Sequence, residues 1–103
     1  SIYAASRLGQ PRINILSADV FGGAPPSATH IGLRPEQIVQ GQGEDSMVQR
    51  VERLGDQTRL HLTFKSHDLI TVTDPHTHLK EGDIVRISPR QPFYFAADGA
   101  RVA

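Results

Sequence analysis

From Arg59 to Lys65 the chain alternates without a break. Leu60, Leu62 and Phe64 are apolar, and Arg59, His61, Thr63 and Lys65 between and beside them are polar. A period of two marks a strand with one buried face and one wet face. Residues 47–54 read as the strand before it, turned through Gly55-Asp56, so the two form a hairpin. Ser66-His67-Asp68 reads as a turn into a strand over 69–73. A loop over 74–80 follows, then Glu81-Gly82-Asp83 and a strand over 84–88 that Pro89 ends. Leu60, Leu62 and Phe64 are expected to point inward, with Val51, Ile70, Val72, Val85 and Ile87 as neighbours.

Upstream, residues 13–21 are β-like in composition, 22–27 are a breaker loop rich in Gly and Pro, and 30–34 are a short strand. Arg34-Pro35-Glu36-Gln37-Ile38 predicts a single helical turn. Pro35 suits its first position, Glu36 suits its positive end, and local charge pairs are expected for Arg34 and Glu36. Residues 40–45 are expected to be a polar loop. Near the end, 93–95 and 100–102 flank a turn at Asp98-Gly99. Six or seven short strands without interposed helices predict a small all-β barrel or sandwich, not a doubly wound sheet. Residues 1–8 read as the last turns of a helix, with Gly9 as its C-terminal cap and Pro11 stopping it. The chain is therefore expected to open partway through a helix, as the trailing part of a longer protein. Residues 1–10 are the end of a linker helix and 11–103 the domain.

Composition narrows the function classes. The 103 residues allow one modest core. Lys+Arg and Asp+Glu are 11 each, so the formal charge is zero, without the basic excess of a nucleic-acid binder. There is no cysteine, hence no disulfide and no thiolate metal site. No run approaches the roughly 20 apolar residues that span a bilayer, and no signal-peptide pattern opens the chain. The expectation is a soluble, cytoplasmic protein.

Several short motifs then go further than periodicity. Gly9-Gln10-Pro11-Arg12-Ile13-Asn14-Ile15-Leu16 resembles the G-x-P-x-[IM]-N-x-[IL] junction of sugar-type ABC importer ATPases. There it links the nucleotide-binding domain to an accessory domain. Gly32-Leu33-Arg34-Pro35-Glu36-Gln37-Ile38 is similar to the G-[IVL]-R-P-E-x-[IL] signature inside that accessory domain. Val51-Glu52-Arg53-Leu54-Gly55 resembles its V-E-x-L-G segment. Glu81-Gly82-Asp83-Ile84-Val85 is similar to its G-x-x-V strand entry, and 95–101, with Gly99, to its F-D-x-x-G-x-R end. The matches fall in the family's order over almost the whole chain. Together they resemble the transport-associated OB-fold (TOBE) region of the maltose-type ATPase subunits.

That resemblance implies a small OB-fold-like β-barrel with a short N-terminal helical remnant. The segment between the first strand and the R-P-E turn is shorter than in the family, so the barrel is expected to be reduced or incompletely closed. Phe93 stands where the family carries histidine, a departure that bears on how the last strand packs. The family motif residues Gly9, Pro11, Asn14, Gly32, Arg34, Pro35, Glu36, Glu52, Leu54, Gly55, Gly82 and Gly99 are expected to serve structure or interaction. The resemblance also implies an accessory and regulatory role in an importer for sugars or related solutes. Its partners would be a second copy of the same subunit and, through the nucleotide-binding domain, membrane permeases. The subunit would then sit on the inner face of the cell membrane.

The chain holds no G-x-x-x-x-G-K-[ST] run to cradle phosphates. No catalysis and no cofactor are expected of it, with ATP and Mg belonging to the nucleotide-binding domain. His76 and His78 form an H-x-H pair that could ligate a metal, but a site needs three or four ligands and no third is evident. A solvated turn is the preferred reading. Phe93-Tyr94-Phe95 could be a base-stacking platform, though neutral charge favours packing. The alternative function is a free-standing OB-fold module that binds a small anion or single-stranded nucleic acid.

Overall fold

The computed structural model describes residues 13–102. The expected helical remnant, with Gly9 and Pro11, lies outside the described residues. Among the described residues, eight strands and two 3-10 turns follow one another. They are β1 (Asn14–Ser17), a turn at Ala18–Val20, β2 (His30–Leu33), a turn at Pro35–Gln37, β3 (Ile38–Arg53), β4 (Thr58–Phe64), β5 (His67–Thr73), β6 (Ile84–Pro89), β7 (Phe93–Phe95) and β8 (Arg101–Val102). The strands form two four-stranded sheets, ordered β1-β2-β7-β8 and β5-β4-β3-β6. The architecture is the small all-β, OB-like class expected. The chain divides into a central unit, Ile38–Ser88, and a terminal unit drawn from Ser1–Gln37 and Pro89–Ala103.

In the central unit Leu60, Leu62 and Phe64 are buried as the alternation predicts, with Ile38, Val48, Leu69, Val85 and Ile87. The register corrects the expectation for β5. Phe64 pairs with His67, so the β4–β5 turn has only two residues, Lys65 and Ser66. Their φ values of 47° and 68° make it a primed hairpin turn. That turn sets Leu69 opposite Leu62 and Thr71 opposite Leu60, while Ile70 and Val72 face His61 and Arg59. Hence Ile70 and Val72 are half-buried on the other face, as a one-residue shift requires. Val51 stands opposite Leu60 and is also half-buried.

Residues 40–45, read as a loop, belong to β3, which runs for 16 residues. Their glycines and polar side chains mimic a loop, yet Gly43 is needed where the strand is crowded. A Cβ there would lie 2.0 Å from the Ile87 carbonyl oxygen, and φ is 112°. The backbone ladder of this sheet does not close into a ring. At the start of β3, however, two side chains bridge to β5. Gln40 Nε2 donates to the Val72 carbonyl at 3.0 Å, and Thr71 Oγ1 donates to the Ile38 carbonyl at 3.4 Å. Incomplete closure is thus a seam stitched by side chains.

The terminal unit joins distant stretches. β1 pairs with β2 and β2 with β7, all antiparallel, and β8 pairs beyond β7. Among the described residues its buried apolar side chains include Leu16, Ala18, Val20, Ile31, Leu33 and Phe95. The β-like stretch 13–21 is a strand only to Ser17. Ala18–Val20 then turns, with Ala18 N–H donating to the Thr29 carbonyl at 3.0 Å. The last strands pack in register with Phe93 present: Tyr94 opposes Val102 and Phe95 opposes Arg101.

Candidate functional site

The Arg-Pro-Glu segment forms the predicted turn, and its locks are more specific than charge pairing. Gln37 N–H donates to the Arg34 carbonyl at 2.9 Å and closes it. Buried Pro35 presets its first residue. Gln37 then uses both ends of its side-chain amide. Oε1 accepts the Arg34 N–H at 2.7 Å, and Nε2 donates to the carbonyls of Gln91 at 2.7 Å and Arg90 at 3.3 Å. Arg90 N–H returns a bond to the Gln37 carbonyl at 2.8 Å, and its Nη2 donates to the Glu36 carbonyl at 2.9 Å. The turn is therefore clamped onto the segment just after β6. The local charge pairs expected for Arg34 and Glu36 are not formed among the described residues. Glu36 contributes its carbonyl, and the Arg34 guanidinium lies 5.9 Å from the centre of the Phe93 ring. Sequence reasoning missed Gln37 and Arg90. The available signal was a glutamine three residues after the turn's first residue, the spacing at which a side chain reaches back to an unpaired N–H.

The other family motif residues that fall among the described ones lie apart from one another. Asn14 Nδ2 donates to the Leu33 carbonyl at 2.9 Å and ties edge strand β1 to β2. At Gly32 a Cβ would sit 2.9 Å from the Phe95 ring, so the glycine lets that ring lie against the sheet. Leu54 and Gly55 make the β3–β4 turn, where Leu54 N–H donates to the Gln57 carbonyl at 2.9 Å and the Leu54 side chain is exposed. Gly82 N–H donates to the Val48 carbonyl at 2.8 Å, and Gly99 closes the β7–β8 turn.

Glu52 sits in a charged cluster on the sheet face of β3 and β4. Its Oε1 meets His61 Nε2, with Arg50 Nη2 at 3.3 Å and Arg59 Nη1 at 3.8 Å. The His61 hydrogen bond, reinforced by the nearby charges of Arg50 and Arg59, holds the Glu52 carboxyl below its usual range. Asp83 is likewise lowered, first by the Lys80 backbone N–H and then by the Lys80 side chain. The histidine lies between the carboxylate and Arg50, so the cluster is one network of hydrogen bonds and ion pairs across β3 and β4.

His76 and His78 lie on the 74–80 loop, where Asp74 accepts the His76 N–H at 2.6 Å and Arg53 holds the carbonyls of Pro75 and Thr77. No group of three metal-ligating side chains occurs among the described residues. The aromatic run Phe93-Tyr94-Phe95 is strand β7. Successive strand residues face opposite sides, Phe95 is buried, and the Phe93 ring is covered by guanidinium groups. No helix among the described residues is long and apolar enough to cross a membrane.

Comparison with known proteins fits this structural reading. The chain is 30% identical to the sn-glycerol-3-phosphate import ATP-binding protein UgpC 2 of Rhizobium johnstonii, over 81% of the chain and 28% of that protein. It is 32% identical to the UgpC protein of Rhodopseudomonas palustris, over 64% of the chain and 22% of that protein. The chain thus spans about a quarter of the length of these relatives. The matched family, described as TOBE domain, covers residues 31–99, from the middle of β2 through the clamped turn to the β7–β8 turn. This chain belongs to the TOBE domain family.

Proposed function

We propose that the domain is the C-terminal accessory part of the ATP-binding subunit of an ABC importer. Its solute would be a sugar or a related compound, with a polyol phosphate such as sn-glycerol 3-phosphate suggested by the relatives' names. The family match over 31–99, which includes the Arg34-Pro35-Glu36 turn, carries this reading. In it the domain supports pairing of two subunits and regulation. ATP, Mg and the permease contacts belong to a nucleotide-binding domain, and the subunit is peripheral on the cytoplasmic membrane face. A two-fold contact is self-complementary, so one patch can serve both copies. Exposed Met47 and Ile84 in the central unit, 39% and 60% accessible, offer apolar surface for it.

The test uses the natural full-length subunit, purified with its permeases. Its reading frame should carry a phosphate-binding loop upstream. ATPase activity should rise with a solute-loaded binding protein, and sedimentation should show two copies. Deleting residues 13–102 should leave nucleotide binding intact and weaken pairing. A frame without a phosphate-binding loop, or a deletion that leaves pairing and regulation unchanged, would overturn the proposal.

A further inference from the structure

The two outer strands of the central sheet, β5 and β6, present different edges. On β5 the Val72 carbonyl is taken by Gln40 Nε2 at 3.0 Å. Along 83–87 three carbonyls mark the side that faces β3. The Asp83 carbonyl accepts the Val48 N–H at 2.8 Å, the Val85 carbonyl accepts the Ser46 hydroxyl at 2.7 Å, and the Ile87 carbonyl lies against Gly43. Backbone groups of successive residues in an antiparallel strand point to opposite sides. Those of Ile84 and Arg86 therefore point away from β3, where no strand among the described residues follows. Both side chains are exposed, Ile84 to 60%.

An open edge holds N–H and C=O groups at ladder spacing, which an extended backbone completes. The side chains say which backbone fits. Because Val48 pairs with Asp83, Met47 stands opposite Ile84 on the same sheet face, and both are accessible apolar groups. Two positions on, Arg86 has no carboxylate within 4.0 Å among the described residues, although Asp45 is its cross-strand neighbour by the same register. A second copy of β6 fits this edge poorly. Centred on Val85, the antiparallel pair would set Ile84 against Arg86 twice and leave two arginines as diagonal neighbours. Centred on Arg86, it would set arginine against arginine. A face-to-face contact through Met47 and Ile84 would leave the edge groups unpaired.

We propose that the β6 edge takes up an extended segment of another protein. The segment runs antiparallel to β6, with an acid opposite Arg86 and, two residues later, a β-branched apolar residue opposite Ile84. This is independent of the transport assignment. The test is two-dimensional NMR titration of the whole chain with a capped heptapeptide of threonines carrying Glu third and Val fifth. The Ile84 and Arg86 amides should shift saturably and become slower to exchange with solvent. The same peptide methylated on its Glu and Val nitrogens should not bind, because the edge bonds need those N–H groups. Replacing its Glu by Lys should weaken binding about fivefold, the size of a cross-strand charge pair, and Arg86→Glu should reverse that preference. Arg86 is exposed, so the variant should keep the wild-type spectrum elsewhere. Shifts that stay linear to millimolar concentrations would overturn the proposal. So would equal binding of the methylated peptide, or a charge preference that Arg86→Glu leaves unchanged. Sedimentation that finds the free chain paired, with the Ile84 amide already protected, would also overturn it and give the edge to a second copy.

Discussion

The central and terminal units are built from the same kind of strand but are joined in different ways. In the central unit each strand meets its hairpin partner across a short turn, Arg53 opposite Thr58 and Phe64 opposite His67. In the terminal unit Thr29 N–H reaches the Phe95 carbonyl, 66 positions further on. Bringing such ends together costs loop-closure entropy that a two-residue turn avoids. The central unit can therefore rest on alternation and burial. The terminal unit depends on individual polar groups, Asn14 on Leu33 and Gln37 on Arg90 and Gln91, that fix where distant segments stop. Breaking each unit at its own weak point should separate these two modes.

The largest effect should come from Gly43→Ala. A Cβ at 2.0 Å from a backbone oxygen, at φ 112°, forces β3 and β6 apart, with no flexible side chain to yield. Destabilisation of about 3 kcal/mol or more is expected, or failure to fold. Gly32→Ala in the terminal unit meets side chains, the Phe95 ring edge at 2.9 Å and the Ile13 and Ile15 Cδ1 at 3.0 and 3.5 Å, which can give way. About 1–2 kcal/mol is expected there. Urea unfolding of the two variants checks the order, and a Gly32→Ala cost above that of Gly43→Ala would contradict it.

Next in size is Gln37→Ala. It removes an acceptor for the Arg34 N–H and a donor to two carbonyls. About 1–2 kcal/mol should be lost, the yield of one or two net hydrogen bonds. Hydrogen exchange should speed at the Arg34 amide more than at Leu60 or Leu62. Equal acceleration throughout would mean the clamp is not local to the terminal unit.

How much of this was legible beforehand divides along the same line. The alternation at Leu60, Leu62 and Phe64 placed three core residues correctly because it depends only on local period. The face of β5 was misread because it turns on one residue of loop length, and Lys65-Ser66 lacks the Asn-Gly signal of a primed turn. Residues 40–45 were misread because glycine serves both loops and crowded strands. At the candidate site the Arg-Pro-Glu turn was legible from cap chemistry. Gln37 and Arg90 were not, since their partners lie across the chain and no local pattern names them.

Two substitutions should raise stability in the central unit. Thr58 is fully buried and its Oγ1 has no hydrogen-bond partner among the described residues. Thr58→Val keeps the shape and removes the stranded hydroxyl, so a gain of about 1 kcal/mol is expected. Ser66 at φ 68° bears a strain glycine does not, and Ser66→Gly should add about 0.5 kcal/mol. Lys65 holds the turn through Glu44 at 2.9 Å and lies 5.2 Å from the Phe64 ring centre, so it is kept. Thermal melts of both variants and their combination test this. A loss of stability in Thr58→Val would show that the hydroxyl has a partner, bound water included.

The smallest effect is in acid. Glu52 is held below its ordinary carboxylate value, first by the His61 hydrogen bond and then by the nearby charges of Arg50 and Arg59. A carboxyl whose folded value is depressed stabilises the fold above its unfolded value. That contribution is lost as pH falls through the folded value. Asp83, also lowered and also in the central unit, acts in the same direction. Stability should therefore fall as pH drops below about 4.5, the ordinary carboxylate range. Glu52→Gln cannot ionise, so its unfolding midpoint should fall less steeply in acid than the wild type's. Near neutrality it should lie slightly below the wild type. High salt should shrink the difference, since the group is open to solvent. Urea midpoints at neutral pH and at about pH 3.5 would read both signs, where Glu and Asp titrate. Parallel wild-type and Glu52→Gln curves would mean that the network contributes nothing to the central unit's stability, leaving its hairpins to burial alone.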